Sequence, residues 1–448
     1  MSLSKQTRQS TAMLTRLSGW GRYPQYQSNI FTPISLTTCQ SHLATHTMPL
    51  IAHGMGRSYG DSALAEYVIN TQELDCLLDF DTHSGQLTCH AGVSLAALLA
   101  VFVPKGWFLP VTPGTQFVSI GGAIASDVHG KNHHQHGCFS EYIVSLELLL
   151  GDGSRLRCSR SEHPELFHAT CGGMGLTGLI INATLQLTAI HSAYINQITY
   201  KAANLEEVLA LFAEHHAATY SVAWIDCLAN NEALGRSLLM LGEHAPEGEL
   251  HTRHRSKLSI PMEMPKQLLN HYSIRAFNTF YYQRIRQQQS TQCIHYEPFF
   301  YPLDGILHWN RLYGRNGFIQ YQFVIPQAAG MEGLRTILKR IARSGRGSFL
   351  AVLKAFGKAN ANLLSFPIEG YTLALDFKLA PGLLELLHEL DAMVLDFGGR
   401  LYLAKDARMH ETTFKRSYPQ WERFQAVREQ YGAIGHFASL QSQRLGLN

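Results

Sequence analysis

Two glycine-rich stretches and a set of histidines and lysines hold the chemical possibilities of this chain. "AHGMGRSYGDS" at residues 52–62 contains Gly54, Gly56 and Gly60, and "PGTQFVSIGGAIASDVHG" at 113–130 contains Gly114, Gly121 and Gly122. Glycine accepts positive φ and lets a ligand approach the backbone N–H closely, so both stretches suit an anionic group. "GGAIAS" adds the prospect of a helix N-terminus, whose unpaired N–H groups and dipole favour a pyrophosphate. Neither stretch is a G-x-G-x-x-G that follows a strand and opens a βαβ unit, so the Rossmann fingerprint does not apply. One such loop alone would read as a structural turn. Together with "CGGMGLTGLI" at 171–180, the spaced loops point to a flavin dinucleotide.

His129, His133, His134 and His136 crowd together, which raises the question of a metal site. The tract contains no H-E-x-x-H, no carboxylate follows at a ligand offset, and adjacent His133 and His134 must point apart on any regular element. The expectation is therefore no metal. Lys354 interrupts the apolar strand pattern "FLAVLKAFG", and Asp376 interrupts "YTLALDFKL". A charged group in such a strand needs a partner or a chemical role. "FIQYQFVIP" puts Gln320 and Gln322 on one side of a strand, with Ile319, Tyr321, Phe323 and Ile325 on the other, so two amides share a face.

These residues must be positioned by a chain of 448 residues, longer than one core usually fills, and two domains are expected. A net charge of +3, 16% charged residues and the absence of long Lys or Arg blocks argue against nucleic acid and for a small-molecule partner. The N-terminal region lacks the apolar stretch of a secretory signal, and no later run is apolar over bilayer length. A cytoplasmic location is expected, with peripheral contact at the inner face of the membrane as its only extension. Eight cysteines without a CxxC pair fit reduced, mostly buried thiols.

To about residue 190 the pattern is α+β, with short strands between glycine turns: "MPLIAHGMG", "YVINT", "QLTCHAGVS", "YIVSLELLLGDGS" and "LIINATLQLTAI". "DGS" predicts a hairpin turn, and "SEHPELFHAT" predicts a short helix with a Ser N-cap. From 191 to about 400 longer strands and amphipathic helices take over. "MEGLRTILKRIARSG" sets Leu334, Ile337, Leu338 and Ile341 on one helical face and ends at Gly345. The polar stretches "HTRHRSKLSIPMEM" and "QRIRQQQSTQ" read as loops. After "FGGRLYLAKD" the chain turns helical, and "LYLAKD" is placed to return to the first part.

With "GMGRSYGD", "PGT…SIGGAIASDVHGKNHH", "GLTGLI", "WNRLYG", "FIQYQFVIP", "LSFPIEGY" and "FGGRLYLAKD" in this order, the chain resembles the decaprenylphosphoryl-β-D-ribose 2′-oxidase family of PCMH-type, vanillyl-alcohol-oxidase-like flavoproteins. The resemblance covers nearly the whole chain. It implies an FAD-binding domain of residues 1–190 completed by 400–448, and a substrate-binding domain of 191–399 whose antiparallel sheet covers the isoalloxazine. The implied FAD contacts are Ala52, His53, Gly54, Met55, Gly56, Arg57, Ser58, Tyr59, Gly60, Asp61 and Ser62 in the first loop. Gly114, Ser119, Ile120, Gly121, Gly122, Ser126, Asp127, Val128 and His129 follow in the second, with Ile180 and Tyr402 beyond. Arg57 stands where many relatives attach FAD through a histidine, so the implied FAD is non-covalent.

The implied reaction oxidises the 2′-hydroxyl of a polyprenyl-phosphate-linked ribofuranose to the 2′-keto sugar, with the hydride passing to FAD. An NAD(P)H-dependent keto-sugar reductase would then complete epimerisation to the arabinose form. Lys405 matches the family lysine at the flavin and substrate, where a cation offsets the charge that reduction brings. Lys405, Tyr59 and His129 are the candidates for taking the hydroxyl proton, and Gln320, Gln322, Lys354 and Lys405 for gripping the substrate. Ala374 replaces a cysteine often present in actinobacterial members, and residues 251–316 match least, which leaves sugar and prenyl length open. Two other readings remain: an FAD oxidase of a free alditol or aldonolactone, and a metal-dependent or non-catalytic protein that keeps the glycine loops.

Overall fold

The computed structural model describes residues 13–252, 258–265 and 267–448. Helices and strands are mixed, and three sheets carry most of the architecture. A four-stranded sheet runs in the order Met13–Ser18, Gln25–Phe31, Tyr67–Asn70, Leu50–His53, with its first pair antiparallel and the others parallel. A five-stranded antiparallel sheet runs Leu77–Asp81, Gln86–His90, Leu179–Gln186, Ile143–Leu149, Arg155–Ser159. The five strand patterns read from the first 190 residues each place a strand in these two sheets, with Thr188–Ala189 continuing into a separate pair with Trp107–Phe108, and "DGS" makes the hairpin turn with Gly153 at φ 82°.

The largest sheet is eight-stranded and antiparallel: Gln289–His295, Tyr194–Ala202, Ser237–His244, Tyr220–Ile225, Ala351–Phe356, Gly370–Lys378, Phe318–Pro326, Arg400–Leu401. Alternation along Phe318–Pro326 decides its two faces. Tyr321 donates a hydrogen bond to Asp391 of helix Leu383–Asp396, and Ile325 lies against helix Gly330–Ser344, so the odd-numbered side chains meet the helical layer. Helix Gly330–Ser344 buries Leu334, Ile337, Leu338 and Ile341 and ends at Gly345 in the left-handed region, as its period requires. Each of these side chains contributes roughly 2 kcal/mol of transfer free energy. The even-numbered face is left for the cavity described below.

The C-terminal segment folds back onto the first two sheets. Leu50 bridges Phe437, Arg444 pairs with Asp61 and Asp406, and the buried Arg428 guanidinium donates to the carbonyls of Leu176, Phe437 and Leu447. Six of the eight cysteines are buried, Cys76 and Cys293 are exposed, and all are free thiols. Among the described residues no helix is long and apolar enough to cross a membrane.

Two local expectations need correction. The helix in "SEHPELFHAT" spans Pro164–Thr170 and is capped by His163 at φ 45°, not by Ser161. Proline at the first helical position, with its fixed φ and missing donor, sets that start. "QRIRQQQSTQ" is not all loop, because Gln289–His295 forms the edge strand of the large sheet. An edge strand is solvated on one side, so polar side chains conceal it from a hydrophobic count. In "HTRHRSKLSIPMEM", Leu258–Ser259 pairs with Ile306–Leu307, while 253–257 lie outside the described residues.

Candidate active site

A cavity of about 940 Å³ lies between the glycine loops and the even-numbered face of the large sheet. Strand register brings its wall together: Gln320 sits opposite Asp376, Gln322 opposite Ala374, and Ala374 opposite Val352, with Lys354 two residues on. The two amides therefore share the face read from the alternation. The first loop contributes Ala52, His53, Gly54, Met55, Gly56, Arg57, Ser58, Tyr59, Gly60 and Ser62. The second contributes Gly114, Ser119, Gly121, Gly122, Ser126, Val128 and His129, and Ile180, Tyr402 and Lys405 complete the set.

Local geometry explains why glycine is needed at two of these places. Gly56 has φ 61°, and a Cβ on Gly60 would collide with the Asp406 carbonyl that the C-terminal return brings against the loop. Ser119 caps the short helix Ile120–Ala125, its Oγ accepting from the Gly122 N–H at 3.2 Å. Tyr402 anchors the loop beyond it by donating to the Ser126 carbonyl at 2.9 Å.

Three expected contact residues do not line the cavity. Ile120 is fully buried in the apolar core, and Asp61 is turned to Arg444 at 2.7 Å. Asp127, fully buried at φ 39°, accepts from Ser365 Oγ at 2.6 Å and from the Asn360 and Asn362 amides at 2.8 Å each. The Asp127 carboxylate thereby ties the second glycine loop to the segment that carries "LSFPIEGY". Buried carboxylates are held this way because an unpaired one is costly.

Of the four histidines only His129 faces the cavity. His133 accepts from the Gly357 N–H, His134 donates to the Ala218 carbonyl, and His136 pairs with the Tyr142 hydroxyl, so the neighbours fasten surrounding segments. Among the described residues no group of three or more His, Cys, Asp or Glu is placed to hold a metal ion. Gln322 Nε2 lies 3.1 Å from His129 Nε2, which makes that nitrogen the acceptor and puts the proton on Nδ1. Nδ1 is buried without a partner.

Burial dominates the electrostatics. It lowers Lys405 to about 8 against the raising effect of Asp376, and lowers Lys354 to about 7, helped by Lys131 and Lys405. Burial raises Asp376 to about 7, although Gln320 donates to it at 2.6 Å. His129 is held well below its usual range by burial and by Lys354, and Tyr59 well above its own by burial and Asp376. Lys405 Nζ stands 4.0 Å from the Tyr59 ring centre, and the Arg57 guanidinium 4.0 Å from that of Trp20. Lys131, lowered to about 8 by burial, also lines the cavity, as do Asp376 and Asp304. Sequence reasoning left these three out of the site. Asp376 carried a signal, being a charge in an apolar strand two residues from Ala374; Asp304 carried none.

A family profile described as an FAD binding domain matches residues 37–159. The chain is 37% identical to decaprenylphosphoryl-beta-D-ribose oxidase of Mycolicibacterium smegmatis over 96% of its own length and 97% of the relative. This chain belongs to the decaprenylphosphoryl-β-D-ribose oxidase family. It is an FAD-dependent oxidoreductase. More distant likenesses are to D-arabinono-1,4-lactone oxidase of Yarrowia lipolytica, 28% identical over 40% of this chain and 34% of the relative, and to L-gulonolactone oxidase of Bos taurus, 31% over 36% of each.

The cavity of this oxidase-family protein fits FAD on its own terms. Among the described residues none of the backbone N–H groups of Gly54 to Ser58 donates to a backbone carbonyl, and a Cβ on Gly114 would meet only open space. Unclaimed donors on a glycine-rich loop suit a pyrophosphate. Because Asp127 holds that second loop in place, Asp127→Ala should lower the flavin-to-protein ratio of purified enzyme and cost roughly 3 kcal/mol of stability. Absorbance at the flavin band and the urea midpoint would measure both; a variant with full flavin content would show that the knot does not shape the cradle.

Proposed function

We propose that the protein oxidises the 2′-hydroxyl of a polyprenyl-phosphate-linked ribofuranose to the 2′-keto sugar, using non-covalently bound FAD. The observation that carries this reading is the content of one cavity. Glycine loops, the half-buried lysines Lys131, Lys354 and Lys405, and an apolar wall of Phe277, Ile306, Leu312, Phe349 and Leu350 line it together. Near-full-length likeness to a relative named for this chemistry supports it. A cationic group suits a phosphate, and the apolar wall suits the first units of a prenyl chain.

In this reading residues 1–190 and 400–448 form the FAD-binding domain and 191–399 the substrate domain, with the large antiparallel sheet over the isoalloxazine. The closed strand sets on either side of residue 190 and the return of the C-terminal segment to Leu50 and Asp61 favour it, although Arg400–Leu401 still belongs to the large sheet. The first glycine loop and Gly114, Ser119, Gly121, Gly122, Ser126, Val128 and His129 would hold the cofactor. Arg57, packed on Trp20 in the first loop, offers no imidazole for covalent attachment. Bound FAD supplies the acceptor for the C2′ hydride.

The chain's own residues handle the proton and the orientation. Lys405, with a pKa near operating pH, takes the hydroxyl proton in its neutral form. Asp376 favours the protonated amine electrostatically, and Gln320 fixes Asp376. Tyr59 stays protonated and packs against Lys405, which sets the amine's direction. His129 remains neutral, with Gln322 fixing its tautomer and Nδ1–H left to donate toward a sugar oxygen. Lys354, Lys131 and Gln322 then bind phosphate and hydroxyls. A ketone product on the same carrier calls for a hydride-donating reductase as the next partner, of the NAD(P)H-dependent class.

Likeness to the two lactone oxidases favours a second reading, oxidation of a free alditol or aldonolactone. Anaerobic addition of polyprenyl-phosphoryl ribose should bleach the flavin absorbance at micromolar concentration; bleaching by free alditols or lactones alone would select the second reading. Acid precipitation should leave the yellow colour in the supernatant, whereas colour in the pellet means covalent attachment. Lys405→Arg keeps the charge yet cannot give up its proton, so kcat should fall at least about 100-fold. For the wild type, kcat should rise with pH through about 8, as Lys405 becomes neutral, and then level. A flat profile in that interval would remove Lys405 from the role of base.

A further inference from the structure

Helix His271–Gln283 breaks the pattern the other long helices obey. Helix Gly330–Ser344 buries its aliphatic side chains and exposes charged ones, whereas His271–Gln283 buries only Ile274 and Asn278. Its aromatic residues are outside: Tyr272 is 82% exposed, Phe280 74% and Phe277 41%. The segment leading into it exposes Leu258, Met262 and Leu268, and Leu258–Ser259 pairs with Ile306–Leu307, where Leu307 is exposed as well. Clustered exposed aromatic and aliphatic side chains of this size mark an interaction surface.

Charge and position narrow the partner. From residue 267 to 295 the sequence contains Arg275, Arg284 and Arg286 and no Asp or Glu. All three arginines are exposed, and the Arg284 guanidinium lies 3.9 Å from the Tyr281 ring centre. Aromatic residues mixed with arginine and free of carboxylates suit the boundary between acyl chains and anionic headgroups. The same elements border the cavity, with Phe277 and Tyr281 from the helix, Arg284 capping its C-terminus, and Leu303 and Ile306 from the adjoining segment in its wall.

We propose that the face built by helix His271–Gln283 and the Leu258–Ser259 and Ile306–Leu307 pair docks on an anionic phospholipid bilayer. Tyr272 and Phe280 enter the headgroup boundary, Arg275 and Arg286 meet lipid phosphates, and the cavity opens toward the lipid. That opening rests on the reading of a lipid-linked substrate; the docking itself rests on the surface alone. A prenyl chain leaving the apolar wall then passes into the bilayer without crossing water.

Vesicle flotation of the purified, FAD-loaded full chain tests this, with phosphatidylglycerol-containing vesicles against pure phosphatidylcholine at low and high salt. The wild type should float with the anionic vesicles and be released by high salt, since exposed charge contacts are screened. Tyr272→Ser with Phe280→Ser should weaken binding by more than about tenfold, and Arg275→Gln by about fivefold. None of the three side chains lines the cavity, so flavin content and turnover of a short-prenyl, water-soluble substrate should match the wild type. Wild type that stays with the unbound fraction, or variants that float as well as wild type, overturn the proposal and leave the face to a protein partner. Flotation is read without substrate, so a wild type that floats yet oxidises no phosphoryl ribose would count against the proposed function and not against the docking.

Discussion

Burial of Lys405 beside Asp376 is the interaction on which the rest of the site depends. An amine and a carboxyl withdrawn from water both move toward neutrality, and their proximity restrains that movement, so each ends near the middle of the pH scale. A lysine at the surface would stay charged and could neither accept a proton at neutral pH nor press on its neighbours. Here the same burial keeps His129 and Tyr59 neutral from opposite directions. One cause, exclusion of water, thereby shifts four neighbouring titratable groups.

Holding water out requires that loops distant in sequence be held together. Asp127 joins the second glycine loop to residues 360–365, and the contact between Gly60 and the Asp406 carbonyl presses the C-terminal return onto the first loop. Arg428 secures that return by answering three main-chain carbonyls from a buried position. The Asp127 and Arg428 ties are buried groups with several hydrogen bonds each, and such networks help hold a structure in one arrangement.

Much of the site was legible because its signals are local. Glycine spacing marked both loops, alternation put Gln320 and Gln322 on one face, and a lysine in an apolar strand marked Lys354. The helix ending at Gly345 followed from its period. Misreadings arose where a residue's role depends on what packs against it. Asp61 and Asp127 belong to glycine loops by sequence, yet Arg444 and the Asn360, Asn362 and Ser365 cluster claim their carboxylates. Gln289–His295 looked like a loop because a solvated edge needs no apolar side chains.

The sequence by itself determined the chemistry available: spaced glycine loops, no Rossmann fingerprint, a few charges placed where charge is expensive, and membership in a flavoprotein family. Those depend on residue type and short-range spacing, which survive without coordinates. Only the tertiary structure decided which groups share a cavity, which histidine faces it, and how far burial moves Lys405, Lys354 and Asp376. Desolvation is a property of the surrounding volume, filled by segments hundreds of residues apart, and no local pattern encodes it. The exposed aromatic face of helix His271–Gln283 belongs to the same class, because exposure is known only once every other element has taken its place.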